Sequence, residues 1–98
     1  MFTELQKLIE LRGKNLWSEI YEGLESAGYL DNLYLEHTRD IDMEEAMKRI
    51  DNMSFEECCT WLTWILRGNR FSEGLFEMNI ENGNISRLLK RAEENMSG

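Results

Sequence analysis

The sequence predicts an all-α fold, a compact single-domain bundle of five to six short helices spanning residues 1–98. Three observations carry that expectation. Apolar residues recur at helical spacing in one stretch after another, and no stretch reads as a clear sheet strand. Two helix-start signatures, Asp42 with Glu45 and Ser54 with Glu57, pair a capping side chain with an acid three residues on. Proline is absent, so nothing in the chain obliges a helix to break.

Phe2, Leu5, Leu8 and Ile9 set the period of a first helix running to about Arg12, with Gly13 as its end or an internal weak point. Leu16, Trp17, Ile20, Tyr21 and Leu24 continue the period over about 15–26, and Gly28 is the stop. Residues 29–39, YLDNLYLEHTR, fit neither period. They read as an ordered connection that packs aromatics on the core, with a short strand or a single helical turn as alternatives. Asp42 then opens a helix with Met43, Ala46, Met47 and Ile50 on its apolar stripe. Ser54 opens the next, which carries Phe55, Cys58, Cys59, Leu62, Ile65 and Leu66 and ends near Gly68. A further helix is expected from about Ser72 to Glu81. Asn82-Gly83 is a turn, Asn84 a cap, and Ile85, Leu88, Leu89 and Ala92 the stripe of a last helix. Fraying is expected after Asn95.

Ninety-eight residues suit one domain, and 42% apolar residues with ten aromatics are enough for a modest core despite 31% charge. The formal charge is −8, and it is unevenly placed. Residues 1–66 hold fourteen acids against six bases, whereas residues 67–98 balance at five each. An acidic front of this kind repels nucleic acid, so direct nucleic-acid binding is not expected; it suits mimicry toward a basic protein or plain solvation. Cys58 and Cys59 are the only cysteines, and neighbours in sequence make a strained disulfide. Reduced core cysteines and a cytoplasmic location follow as expectations. The opening MFTELQKLIELRGK has neither a signal peptide's pattern nor a membrane-length apolar run, and no membrane association is expected.

The candidate site is the stretch Trp61 to Gly74. On the helix opened by Ser54, a hundred degrees per residue puts Phe55, Cys58, Cys59, Leu62 and Leu66 on one side. Trp64 falls opposite, beside Arg67, and Trp61 lies between. The helix is therefore covered on two sides: it is the central helix of the bundle, or Trp64 lines an interface or pocket. Arg67 and Arg70 flank Gly68, where guanidiniums can bond the last helix carbonyls or pair with an acid such as Glu73. The functional alternative is an anion clamp. Arg67 and Arg70 would supply bidentate donors, the Ser72, Glu73 and Gly74 amides would open the following helix, and Gly74 would allow close approach. The expected ligand-binding set is thus Trp64, Arg67, Arg70, Ser72 and Gly74. The expected partner-interface set is Trp61 and Trp64 with the acids Asp40, Asp42 and Glu44. Capping already accounts for Asp42, and the acids lack calcium-loop spacing. Arg87, Lys90 and Arg91 form a small basic, mainly solvated face. His37, the single histidine, has no evident nucleophile partner. No catalytic residue, metal site or cofactor is expected.

Arg67-Gly68-x-Arg70-Phe71-x-x-Gly74, then Glu81-Asn82-Gly83, then Leu88-Leu89-x-Arg91 resemble a family of small bacterial proteins known only as a domain of unknown function. The resemblance covers about residues 54–92. It implies that the helix, the Arg-Gly-x-Arg-Phe turn and the next helix form a recurrent module, and it implies no activity or cofactor. The expected function is that of a small non-enzymatic binding protein. It would take an anionic, nucleotide-like ligand or a partner protein at residues 61–74, as a homodimer. The alternative is an acidic inhibitor of phage anti-defence type, mimicking nucleic acid toward a basic partner.

Overall fold

The computed structural model describes residues 1–97, all of them in helices, turns and connections. Helix α1 spans Phe2–Leu11 and buries Phe2, Leu5 and Ile9, one face at helical spacing. It ends on Arg12, which takes the left-handed conformation at φ 50° so that its amide reaches the carbonyls of Leu8 and Ile9. Helix α2, Leu16–Ser26, buries Leu16, Ile20 and Leu24. Gly28, at φ +78°, then turns the chain.

The connection that follows contains one helical turn, α3, Tyr34–His37, with no buried residue of its own. Its approach packs as expected: the Tyr29 ring stacks on Phe2 at 5.5 Å and meets Phe55 edge-on at 5.2 Å. Helix α4, Met43–Met47, starts where Asp42 accepts a hydrogen bond from the Glu45 amide. A 3-10 turn, Ile50–Asn52, leads to α5, Phe55–Gly68, whose Ser54–Glu57 capping box is complete in both directions. Helix α6 spans Leu75–Glu81 and α7 spans Asn84–Ser97.

Helix α5 is the centre of the bundle. It packs against α7, α3 and α6, while α1 packs on α7 and α2. A helix surrounded in this way has no wholly solvated side, and every residue from Cys58 to Leu66 except Trp64 is buried. Both cysteines are free and buried within it. Among the described residues, no buried side-chain nitrogen or oxygen lacks a hydrogen-bond partner. Arg91, expected on the basic face, instead reaches inward and donates from Nε to the Met53 carbonyl at 3.0 Å, joined there by Asn95 Nδ2 at 2.9 Å.

Three boundaries differ from the periodic reading. Helix α6 begins at Leu75 rather than Ser72, because Gly74 sits in the left-handed region at φ +85° and cannot be a helical residue. Helix α7 begins at Asn84 itself. The Asn82 side chain accepts from the Asn84 amide at 3.0 Å, and the Asn84 side chain donates to buried Asn79 at 2.8 Å. The last helix continues through Ser97 instead of fraying after Asn95, and Gly98 lies outside the described residues.

Candidate functional site

The end of α5 is closed by backbone and by an indole, not by arginine side chains. Trp17 Nε1 donates to the Leu66 carbonyl at 3.0 Å. The Arg70 amide bonds the Arg67 carbonyl, and the Phe71 and Ser72 amides both bond the Gly68 carbonyl. This tight turn satisfies the orphan carbonyls of the helix terminus. It also occupies the Ser72 amide, which an anion clamp would need free.

The two arginines do not converge. Arg67 Nη2 donates to Asn32 Oδ1 at 3.0 Å and Nε to the Tyr21 hydroxyl at 3.4 Å, with the guanidinium 5.7 Å from the Tyr34 ring centroid. All three partners are neutral. Arg70 is exposed, and neither arginine forms an ion pair among the described residues, with Glu73 or any other acid. Gly74 is exposed too.

Around Trp64 the structure builds an apolar groove of about 280 Å³. Helix α3 contributes Tyr34 and Leu35, and α5 contributes Trp64 and Gly68. The turn beyond supplies Phe71 and Ser72, and α6 supplies Leu75. No charged side chain lines it. Gly68 lets the helices approach closely there: a Cβ at that position would stand 3.0 Å from the Leu75 side chain, which would have to give way. Trp64 is half-buried, Leu35 is 66% exposed and Phe71 87% exposed. Of the residues singled out in sequence, Trp64 and Ser72 meet in this groove, while Arg67 lies beyond Tyr34 beside Asn32. Trp61 corrects the expected interface: at 4% exposure it is core, with its ring 5.6 Å from that of Trp64. Asp40, Asp42 and Glu44 are exposed, and Asp42 serves as the α4 cap.

The sequence does not single out Tyr34, Leu35 or Leu75 for this site. For Phe71 a signal exists, since it is the one large apolar residue in the polar run from Arg67 to Gly74. For α3 none exists, because its placement depends on distant polar contacts. Asp31 is the centre of these. Its amide donates to Thr63 Oγ1 at 2.9 Å, and its carboxylate accepts from Thr60 Oγ1 at 2.7 Å and from the Leu33 amide at 2.9 Å. His37 Nδ1 lies 2.6 Å from the same carboxylate. Partial burial works against the Asp31 charge, but the hydrogen bonds from Thr60, His37 and the Leu33 amide outweigh it and hold the carboxyl below its ordinary value. Burial pushes the Cys58 thiol up to about 12 and the Cys59 thiol up to about 11, so neither is a nucleophile at neutral pH. Among the described residues, no cluster of His, Cys, Asp or Glu is placed to hold a metal ion. No described helix is long and apolar enough to cross a membrane.

A central helix packed among the others, with an apolar groove at its end, defines a small all-α domain with an open hydrophobic face. The chain belongs to DUF6508, a family of unknown function whose model matches residues 31–98. The match begins at Asp31 and so takes in every residue that lines the groove, while α1 and α2 lie outside it. No curated protein and no solved structure matches the chain.

Proposed function

We propose that this protein is a non-enzymatic binding module that docks a partner protein through the Trp64 groove. The observation that carries this reading is the pair Leu35 and Phe71, large apolar side chains 66% and 87% exposed on a groove with no charged lining. Contiguous exposed apolar surface around an aromatic pocket marks an interaction site on a small domain. An anionic small ligand fits this geometry less well, because Arg67 is already engaged by Tyr21, Asn32 and Tyr34.

The test places a photoreactive benzophenone side chain at position 35 or, separately, at position 44 in cells that make the protein. Adducts formed at position 35 and absent at 44 support groove docking. Adducts confined to position 44 would defeat it. They would favour a second reading, supported by the exposed Asp40, Asp42 and Glu44 on a −8 chain, in which an acidic face blocks a basic partner. That capture would also weaken as salt is raised.

A further inference from the structure

The shape and charge of the groove face indicate what fills it; this step rests on the docking reading above. Phe71 is a wall of the groove and at the same time its most exposed large apolar side chain, at 87%. Leu35, across the groove on α3, is 66% exposed, and Leu33 beside it 53%. One patch therefore holds both a projecting ring and the concave apolar surface that would receive a ring. A surface with both features can pair with a copy of itself about a twofold axis, each contact made by one copy being returned by the other. We propose that the occupant is a second copy of this chain, in a twofold dimer where Phe71 of each protomer enters the Trp64 groove of the other.

Charge points the same way. Two copies at −8 each repel over most of their surface. The groove lining is uncharged, and the chain from Arg67 onward, which supplies Phe71, Ser72 and Leu75, has five acids and five bases. Apposing two uncharged linings therefore sets no like charges against each other within the groove. Arg70 and Glu73 lie on either side of Phe71, both exposed and neither in an ion pair among the described residues. A twofold axis beside Phe71 turns Arg70 of one protomer toward Glu73 of the other. The area required is modest: a standard interface takes about 800 Å² from each partner, roughly an eighth of the 6215 Å² surface here. Because the same patch is used on both sides, the assembly closes at two and does not grow into a filament.

Sedimentation velocity over a concentration series tests this on purified wild type, Phe71→Glu and Leu11→Glu. Leu11 is 78% exposed on α1 and lies outside the groove, so it controls for loss of any exposed apolar side chain. Circular dichroism establishes that each variant is folded. Wild type and Leu11→Glu should be dimeric, and Phe71→Glu should dissociate with a constant at least about tenfold weaker. A monomeric wild type overturns the inference, and so does a dimer that Phe71→Glu leaves intact. A monomer that still gives position-35 adducts of a different mass would remove the second copy and leave the docking reading standing. A monomer with no such adducts would remove both.

Discussion

Replacing Asp31 by Ala should free the α3 wall of the groove while the rest of the domain stays folded. Helix α3 buries no residue, so little apolar surface resists its release. What holds it is polar: the Asp31 carboxylate with three donors, the Asp31 amide on Thr63 Oγ1 at 2.9 Å, and Arg67 on Asn32 at 3.0 Å. A hydrogen bond to a charged group contributes about 1.5–3 kcal/mol. Three discounts apply to the carboxylate's share. His37 and Leu33 are exposed, so water replaces the lost acceptor for both. Thr60 has one hydroxyl proton and a second acceptor within reach, the Glu56 carbonyl at 2.9 Å. The amide contact to Thr63 survives the substitution. The expected loss is about 1–2 kcal/mol, confined to the segment, or roughly 5–30-fold in its opening equilibrium. Native-state hydrogen exchange read by mass spectrometry should show that factor for peptides covering residues 29–41 and no change in α5 or α7. Unchanged exchange in 29–41 would show that the polar anchors do not hold α3. An equal rise across α5 and α7 would show that α3 is part of the global core.

The same carboxylate gives a pH dependence. Its folded pKa lies below the ordinary 3.8, so its stabilisation is complete above that pH and lost as the pH falls through it toward the folded value. The melting-temperature gap between wild type and Asp31→Asn should therefore narrow on acidification below about 3.8; a constant gap contradicts this. Ser54→Ala removes the side-chain half of the α5 capping box, leaving the Ser54 amide on Glu57, and should cost about 1 kcal/mol, seen as a fall in Tm of about 4–8 °C. An unchanged Tm would mean that α5 is positioned by packing alone. Cys58 and Cys59, buried with thiol values pushed to about 12 and about 11, should resist iodoacetamide in mildly alkaline buffer while folded and react fully once denatured. Prompt labelling of the folded protein would show that α5 opens.

Elements whose cause is local were legible in the sequence. Ser54 with Glu57 and Asp42 with Glu45 locate α5 and α4 because a cap is a contact over three residues. The helical wheel separates Trp64 from the core because α5 is long enough for its period to be read. The α6 start was not legible. Nothing in the chemistry of Ser72 and Glu73 forbids helix, but the chain closes a turn on the Gly68 carbonyl there and Gly74 takes the left-handed region. Trp61 was ambiguous by angle, and the packing of the bundle around α5 decided that it is core. The arginines misled for a different reason. Residues close in sequence at a helix end leave in different directions, and Arg67 found its partners in α2 and the α3 approach, 46 and 35 residues away.

Beside the turn that carries Phe71 and Ser72, the groove has two walls of unlike construction. Trp64 and Leu75 belong to helices whose other faces are core, so moving either would uncover Leu62, Ile65 or Phe76. Such a wall is as rigid as the domain itself. Tyr34 and Leu35 sit on a single turn fastened by Asp31, Asn32 and Arg67, and that wall can shift by exchanging hydrogen bonds with water. A binding face made of one fixed and one adjustable side tolerates some mismatch in its occupant without loss of folding stability. Stability and docking should therefore separate by residue. Changes at Ser54 or Leu62 act on the fold. Changes at Asp31, Asn32 or Arg67 act first on the shape of the groove, although none of the three lines it.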